Sequence, residues 1–154
     1  MSDSVRFYST EVSPEQSLGE VMKLLRRYGA TRFEMLWGRS GVDAVRFGMP
    51  TPQGVLAVIL RPQLLHLGRE LRERHGVKDP EQVQRVAWRQ LKGILEGLLM
   101  AADTGMFPAG QLFLGMAETP TGESMWEAFT TLEGTPEVIL LAPPVIDGEY
   151  EVEE

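Results

Sequence analysis

From Asp79 to about Gly105 the chain places apolar residues at Val83, Ala87, Leu91, Ile94, Leu95, Leu98 and Ala102, a helical period sustained over about five turns. Asp79-Pro80-Glu81-Gln82 opens the run with a capping acid and with Pro at the first helical position, where its missing N–H has no partner to lose. A helix this long with one apolar face must lay that face on something, so the rest of the chain has to supply a covering layer. The stripe could serve an interface as well as a core, which leaves self-association open. Gly93 and Gly97 stand one turn apart inside it; each costs about 1 kcal/mol relative to Ala, which predicts close approach of another element on their side.

The same opening recurs upstream. Ser13-Pro14-Glu15-Gln16 reads as a capping box, Leu18, Val21, Met22 and Leu25 follow at helical spacing, and Gly29 can take the left-handed stop. Three strand-like runs come next, Thr31–Trp37, Asp43–Met49 and Val55–Leu60, separated by Gly38-Arg39-Ser40-Gly41 and Pro50-Thr51-Pro52-Gln53-Gly54. These turn residues predict an antiparallel meander. Phe33, Met35 and Trp37 give the first strand one buried face, Val45 and Phe47 do so in the second, and Val55–Leu60, apolar on both faces, reads as the innermost strand or as one covered on both sides. Val5–Ser9 alternates like a short strand, and Pro62 to His75 forms a second helix with Leu64, Leu67 and Leu71 on its core side. Gln111–Met116 fits either class, Gly122–Leu132 reads as a short helix around Trp126 and Phe129, and Val138–Leu141 as a last strand. The class is α+β, a single domain over residues 1–145, followed by an acidic, mobile tail at 146–154.

The apolar share, 43%, is too high for a disordered chain, and Val55–Leu60 and Val138–Pro144 are far shorter than the roughly 20 residues of a membrane span. No membrane association is expected, and the N-terminus lacks the basic-then-apolar pattern of a secretory signal, which points to the cytoplasm. The chain has no Cys, so disulfides and thiolate chemistry are excluded. It also has no Asn and only three Lys, Arg making up the rest of the 15 basic residues; a hot host and a GC-rich genome predict this bias equally.

Chemistry-bearing motifs are scarce. Neither glycine-rich phosphate loop is present. His66 and His75 are nine residues apart, too far for a pair of zinc ligands on one helical turn. Thr121-Gly122-Glu123-Ser124-Met125 lacks the second glycine of a nucleophile elbow, and no His follows it. Acid pairs such as Glu70 with Glu73 interleave with Arg69, Arg72 and Arg74, as on solvated helices. No cofactor, no metal site and no catalytic residue is assigned, which favours a non-enzymatic protein.

Charge is segregated. Residues 1–92 hold all 15 basic residues against 10 acids, while residues 93–154 hold 12 acids and no base. Arg69, Arg72, Arg74, Arg85, Arg89 and Lys92 with Trp88 offer positive helix faces and an aromatic, the combination that tracks a phosphate backbone and stacks a base in single-stranded nucleic-acid binders. An ordinary solvated helix surface with a structural Trp accounts for the same residues. The order helix, three-stranded meander, helix is similar to the double-stranded-RNA-binding domain and the core of single-strand annealing proteins, without their basic loop-to-helix clusters.

Phe7-Tyr8-Ser9-Thr10-Glu11-Val12-Ser13-Pro14-Glu15-Gln16-Ser17-Leu18, Tyr28-Gly29-Ala30, Arg85-Val86-Ala87-Trp88-Arg89-Gln90-Leu91-Lys92 and the Thr121–Phe129 segment resemble a family of small bacteriophage and prophage proteins of uncharacterised activity. The resemblance spans most of residues 6–130 and implies a phage-linked origin, with no catalytic residues to carry over. Two functions are therefore expected: a phage accessory protein binding nucleic acid through Arg69, Arg72, Arg74, Arg85, Trp88, Arg89 and Lys92, or a protein-binding module that captures a host protein through an apolar patch or its acidic part.

Overall fold

The three strand-like runs form one antiparallel meander in the order β1-β2-β3, with β1 at Thr31–Trp37, β2 at Val42–Thr51 and β3 at Gly54–Leu60. Helix α1 (Pro14–Arg27) precedes the sheet; α2 (Leu64–His75), α3 (Pro80–Asp103), α4 (Ala109–Phe113), a 3-10 turn at Leu114–Met116 and α5 (Met125–Thr131) follow it. This is the α+β arrangement predicted from the element order. The computed structural model describes residues 4–52 and 54–131, so the expected strand at Val138–Leu141, the domain limit at 145 and the tail at 146–154 lie outside the described residues.

Cross-strand pairing decides which residues share a face. Met35 opposes Val45 and Val45 opposes Leu60, while Phe47 opposes Val58 and Met49 opposes Leu56. This face receives Leu18, Val21 and Leu25 of α1, Trp88, Leu95 and Leu99 of α3 and Phe113 of α4, which together make the core. Phe33 and Phe113 both pack on Phe47, one stacked, the other edge-on. The opposite face carries Glu34, Arg46 and Ile59 in register, and there Arg46 bridges Glu34 at 2.6 Å and Glu118 at 2.7 Å. Those two carboxylates, Glu118 first, hold the guanidinium above its ordinary pKa.

The helix starts follow their sequence signals with small departures. Ser13 Oγ accepts from Gln16 N at 3.2 Å, but the Gln16 side chain turns to Glu20 and the box closes on one side only. Asp79 Oδ1 accepts from Glu81 N at 3.0 Å. Gly29, at φ +87°, ends α1 as expected, its N–H bonding Arg26 O and that of Ala30 bonding Leu25 O. The fully reciprocal box is at α5, where Ser124 Oγ accepts from Glu127 N at 3.1 Å and Ser124 N donates to the Glu127 carboxylate at 2.7 Å.

Four expectations are corrected. Residues 5–9 form turns, with Phe7 at φ +65°; among the described residues no strand pairs with them, and side chains of α2 and α3 bind this arm instead. His75 Nε2 accepts from Val5 N at 2.9 Å, Gln82 donates to Tyr8 O and Thr10 O, and Gln90 donates to Arg6 O. Tyr8 stacks on His75 at 3.8 Å. Second, β2 is the central strand, and β3 lies at the edge with only Val58, Ile59 and Leu60 buried. Third, β1 is an edge strand that buries no residue, leaving Met35 39% and Trp37 70% exposed. Fourth, a Cβ on Gly93 or Gly97 would meet nothing within 4 Å, so these glycines accommodate no close approach.

Gly93→Ala and Gly97→Ala should each raise stability by about 0.5–1 kcal/mol, because Ala removes unfolded-state entropy and meets no obstacle. Thermal melts of the two variants check it, and a lowered midpoint in either would mean that the helix surface there is occupied.

Candidate functional site

The seven residues singled out for nucleic acid do not form one surface. Trp88 is 0% exposed, its indole N–H donating to Gln84 Oε1 at 2.8 Å inside the core. A base cannot reach it, so its stacking role is overturned. The buried face of α3 runs through Gln84, Trp88, Leu95 and Leu99 and leaves Ile94 exposed; Trp88 belongs to the layer that covers the sheet.

The cations divide into two groups. On α3, Arg85 pairs with Glu81 at 2.7 Å, Arg89 with Glu20 of α1 at 2.8 Å, and Lys92 with both Glu20 and Glu96 at 3.2 and 2.9 Å. Three bases thus face three acids, and this ladder stitches α3 to α1. Glu96 and then Glu20 raise the Lys92 ammonium above its ordinary pKa. On α2, Arg74 pairs with Glu70 at 2.8 Å, whereas Arg69 and Arg72 make no ion pair among the described residues, nor does Lys78 just beyond the helix. Taken together the described residues carry all 15 bases against 14 acids, close to neutrality and far from the strongly basic footprint of a polynucleotide binder.

The concave feature lies elsewhere. A groove of about 810 Å³ opens between α1, the end of β1 and the start of α3. Leu18 and Met22 of α1 form one wall, Met35 and Trp37 of β1 the other, and Pro80 and Gln84 of α3 close the end. Two backbone devices build it. Trp37 opposes Val42 while Leu36 opposes Ala44, so Asp43 is an extra residue on β2; this bulge turns Val42 toward the helix side, beside Trp37. Gly41, at φ +135°, brings the connecting turn onto α3, where a Cβ would stand 3.3 Å from the Gln84 side chain. Gln84, buried to 2% exposure, donates to Ser40 Oγ of that turn at 3.5 Å.

The polar rim belongs largely to the helix starts. Glu15 sits in the first turn of α1, Asp79 caps α3, and Glu81 binds Arg85; Arg39 alone adds positive charge. What remains is a cavity walled by apolar side chains with an exposed indole, within the roughly 300–1,000 Å³ range of ligand sites. Among the described residues no group of three His, Asp or Glu is placed to hold a metal ion. His75 is engaged with the N-terminal arm, and Ser124 is a helix cap.

Compared with known protein families, curated proteins and solved structures, the chain matches none. No helix of the described residues is long and apolar enough to cross a membrane.

Sequence reading missed the groove because it took Met35 and Trp37 as core. The missed signal was the short span of β1 between Gly29-Ala30 and Gly38-Arg39, which leaves its apolar side to the helices that pass, here α1 and the start of α3.

Two outcomes follow. Trp88→Ala should cost about 3–5 kcal/mol, and a urea midpoint unchanged from wild type would return Trp88 to the surface. For pH, the Gln16 and then the Lys92 and Arg89 hydrogen bonds depress Glu20, and the Ser124 N–H and then Arg61 depress Glu127. Lowered folded values mean that their contribution is complete above the ordinary carboxylate value of 4.5 and declines as pH falls through the lowered values. Acid denaturation of Glu20→Gln and Glu127→Gln should accordingly be less steep than that of wild type below that value.

Proposed function

We propose that this protein acts by binding, and that its partner is a protein segment whose apolar side chain enters the groove between α1 and β1. The observation that carries this reading is Trp37, 70% exposed at the mouth of an apolar groove of about 810 Å³. Exposed Trp in a concave apolar setting is the residue most often found at the energetic centre of protein interfaces. The outer edge of β1 has no strand beside it among the described residues, so an extended segment can add main-chain hydrogen bonds along β1 while its side chain fills the groove. Combined with the resemblance to phage proteins, this supports reading the chain as a phage accessory protein that captures a host protein, a role that asks for contact and not for acid–base chemistry.

Nucleic-acid binding through the α3 cations is the weaker reading, since Arg85, Arg89 and Lys92 are neutralised by acids and Trp88 is inaccessible. Arg69 and Arg72 are the members of that set still available to an outside anion.

Affinity capture from nuclease-treated host lysate, run in parallel with wild type and Trp37→Ala, tests the proposal. A stoichiometric protein retained by wild type should be lost by the variant, with affinity reduced about 30-fold or more, while the variant's unfolding free energy stays within about 0.5 kcal/mol of wild type. Equal recovery of the same protein by both would overturn the groove as the site.

A further inference from the structure

Beside the groove, between α2 and the start of α3, lies a second hollow of about 330 Å³ whose lining includes Arg69, Arg72 and Lys78. Among the described residues none of these three cations makes an ion pair, in contrast to Arg74, Arg85, Arg89 and Lys92 of the same two helices, each of which has its carboxylate. Arg69 and Arg72 are three residues apart on α2 and so project to the same side. Gly76, in the left-handed conformation at φ +67°, ends α2 and turns the chain so that Lys78 returns to the same hollow. Like charges gathered without a counterion repel one another, an arrangement that an anion relieves.

Two neutral donors complete the set. Ser40 and Gln84 line both this hollow and the groove, and they form the wall between them. The buried Gln84 amide donates only to Ser40 Oγ, at the long distance of 3.5 Å, which leaves amide donor capacity at the seam.

We infer that this hollow seats a single phosphate group, carried on a side chain of the same protein segment that fills the groove. Guanidinium groups match phosphate oxygens in geometry as well as charge, and the shared wall lets one extended segment reach both sites. A polynucleotide would need a succession of cations beyond the hollow, but the next ones along α3 are already paired with Glu20, Glu81 and Glu96. The identity of the carrier rests on the groove reading; the phosphate site itself does not.

The test is a titration of the ¹⁵N-labelled full chain with inorganic phosphate and with O-phosphoserine, following the Ser40 and Lys78 amides and the Gln84 side-chain amide. Wild type and Trp37→Ala should show the same saturable shifts, and Arg69→Gln/Arg72→Gln should bind at least tenfold more weakly. No saturable shift, or equal shifts with acetate at matched ionic strength, would overturn the site and leave the groove proposal standing. Oligothymidylate binding tighter than either probe, with a salt dependence reporting several phosphates, would overturn the single-group assignment in favour of a nucleic acid. Retained phosphate binding in Trp37→Ala alongside lost capture of the protein partner separates the two sites.

Discussion

The indole of Trp88 and the amide of Gln84 tie the interior of this protein to its working surface. Trp88 is the largest fully buried side chain, and its N–H would be an unsatisfied donor in an apolar core without the Gln84 oxygen one turn before it. Holding that oxygen fixes which way the amide points, and its nitrogen is thereby directed at Ser40 in the turn between β1 and β2. One buried hydrogen bond within α3 thus orients the amide that meets the turn dividing groove from hollow. Because Gly41 approaches Gln84 so closely, the turn cannot settle lower without moving the helix.

Charge organises the outside in a comparable way. Glu20 receives Gln16 from its own helix and Arg89 and Lys92 from α3, so the α1–α3 contact is polar on its solvent side and apolar beneath. Surface pairs of this kind contribute about 0–1 kcal/mol each. Their larger effect is to decide which cations are left over. With the bases of α3 paired to acids, and Arg74 of α2 paired to Glu70, Arg69, Arg72 and Lys78 are the cations left without a carboxylate beside the second hollow. The Arg61–Glu127 pair at 2.9 Å does for α5 what Glu20 does for α1, joining the reciprocal Ser124 cap to the end of β3.

Much of this was legible in the chain. Helix starts were readable because their signals are local: Ser13, Asp79 and the prolines after them act within one turn. The meander was readable from its turns. What the sequence does not encode locally is which strand is central, and Val55–Leu60 shows why. Its two apolar faces suggest double coverage, yet it lies at the sheet edge with Val55 61% exposed, because pairing order depends on register with β2 and not on hydropathy. The alternation of Val5–Ser9 was likewise real but had no neighbour to pair with. Trp88 and Trp37 exchanged roles for a related reason. Centring the α3 stripe on Val83 and Ala87 placed Trp88 at its margin, and a polar Gln84 obscured the face that the core occupies, which keeps Ala87 and Leu95 of that stripe but extends round the helix to Gln84, Trp88 and Leu99.

The exposed apolar wall therefore arises from how the layers are matched. Helix α1 presents an apolar face wider than one strand, and part of it, Leu18, is spent on the core while Met22 is left half-buried toward β1. Strand β1, at the edge and broken by an irregular register near Arg32, whose φ is +58°, does not rise to meet it. The bulge at Asp43 then brings Val42 and Trp37 to the same side, enlarging the gap when a regular ladder would have spread those side chains over both faces of the sheet. A groove produced by two ladder irregularities and a positive-φ glycine is held by backbone geometry, so its shape is set before any partner arrives. Preorganisation of that kind reduces the ordering cost of association. An indole has only two side-chain torsions to fix, so the exposed Trp37 adds little to that ordering cost.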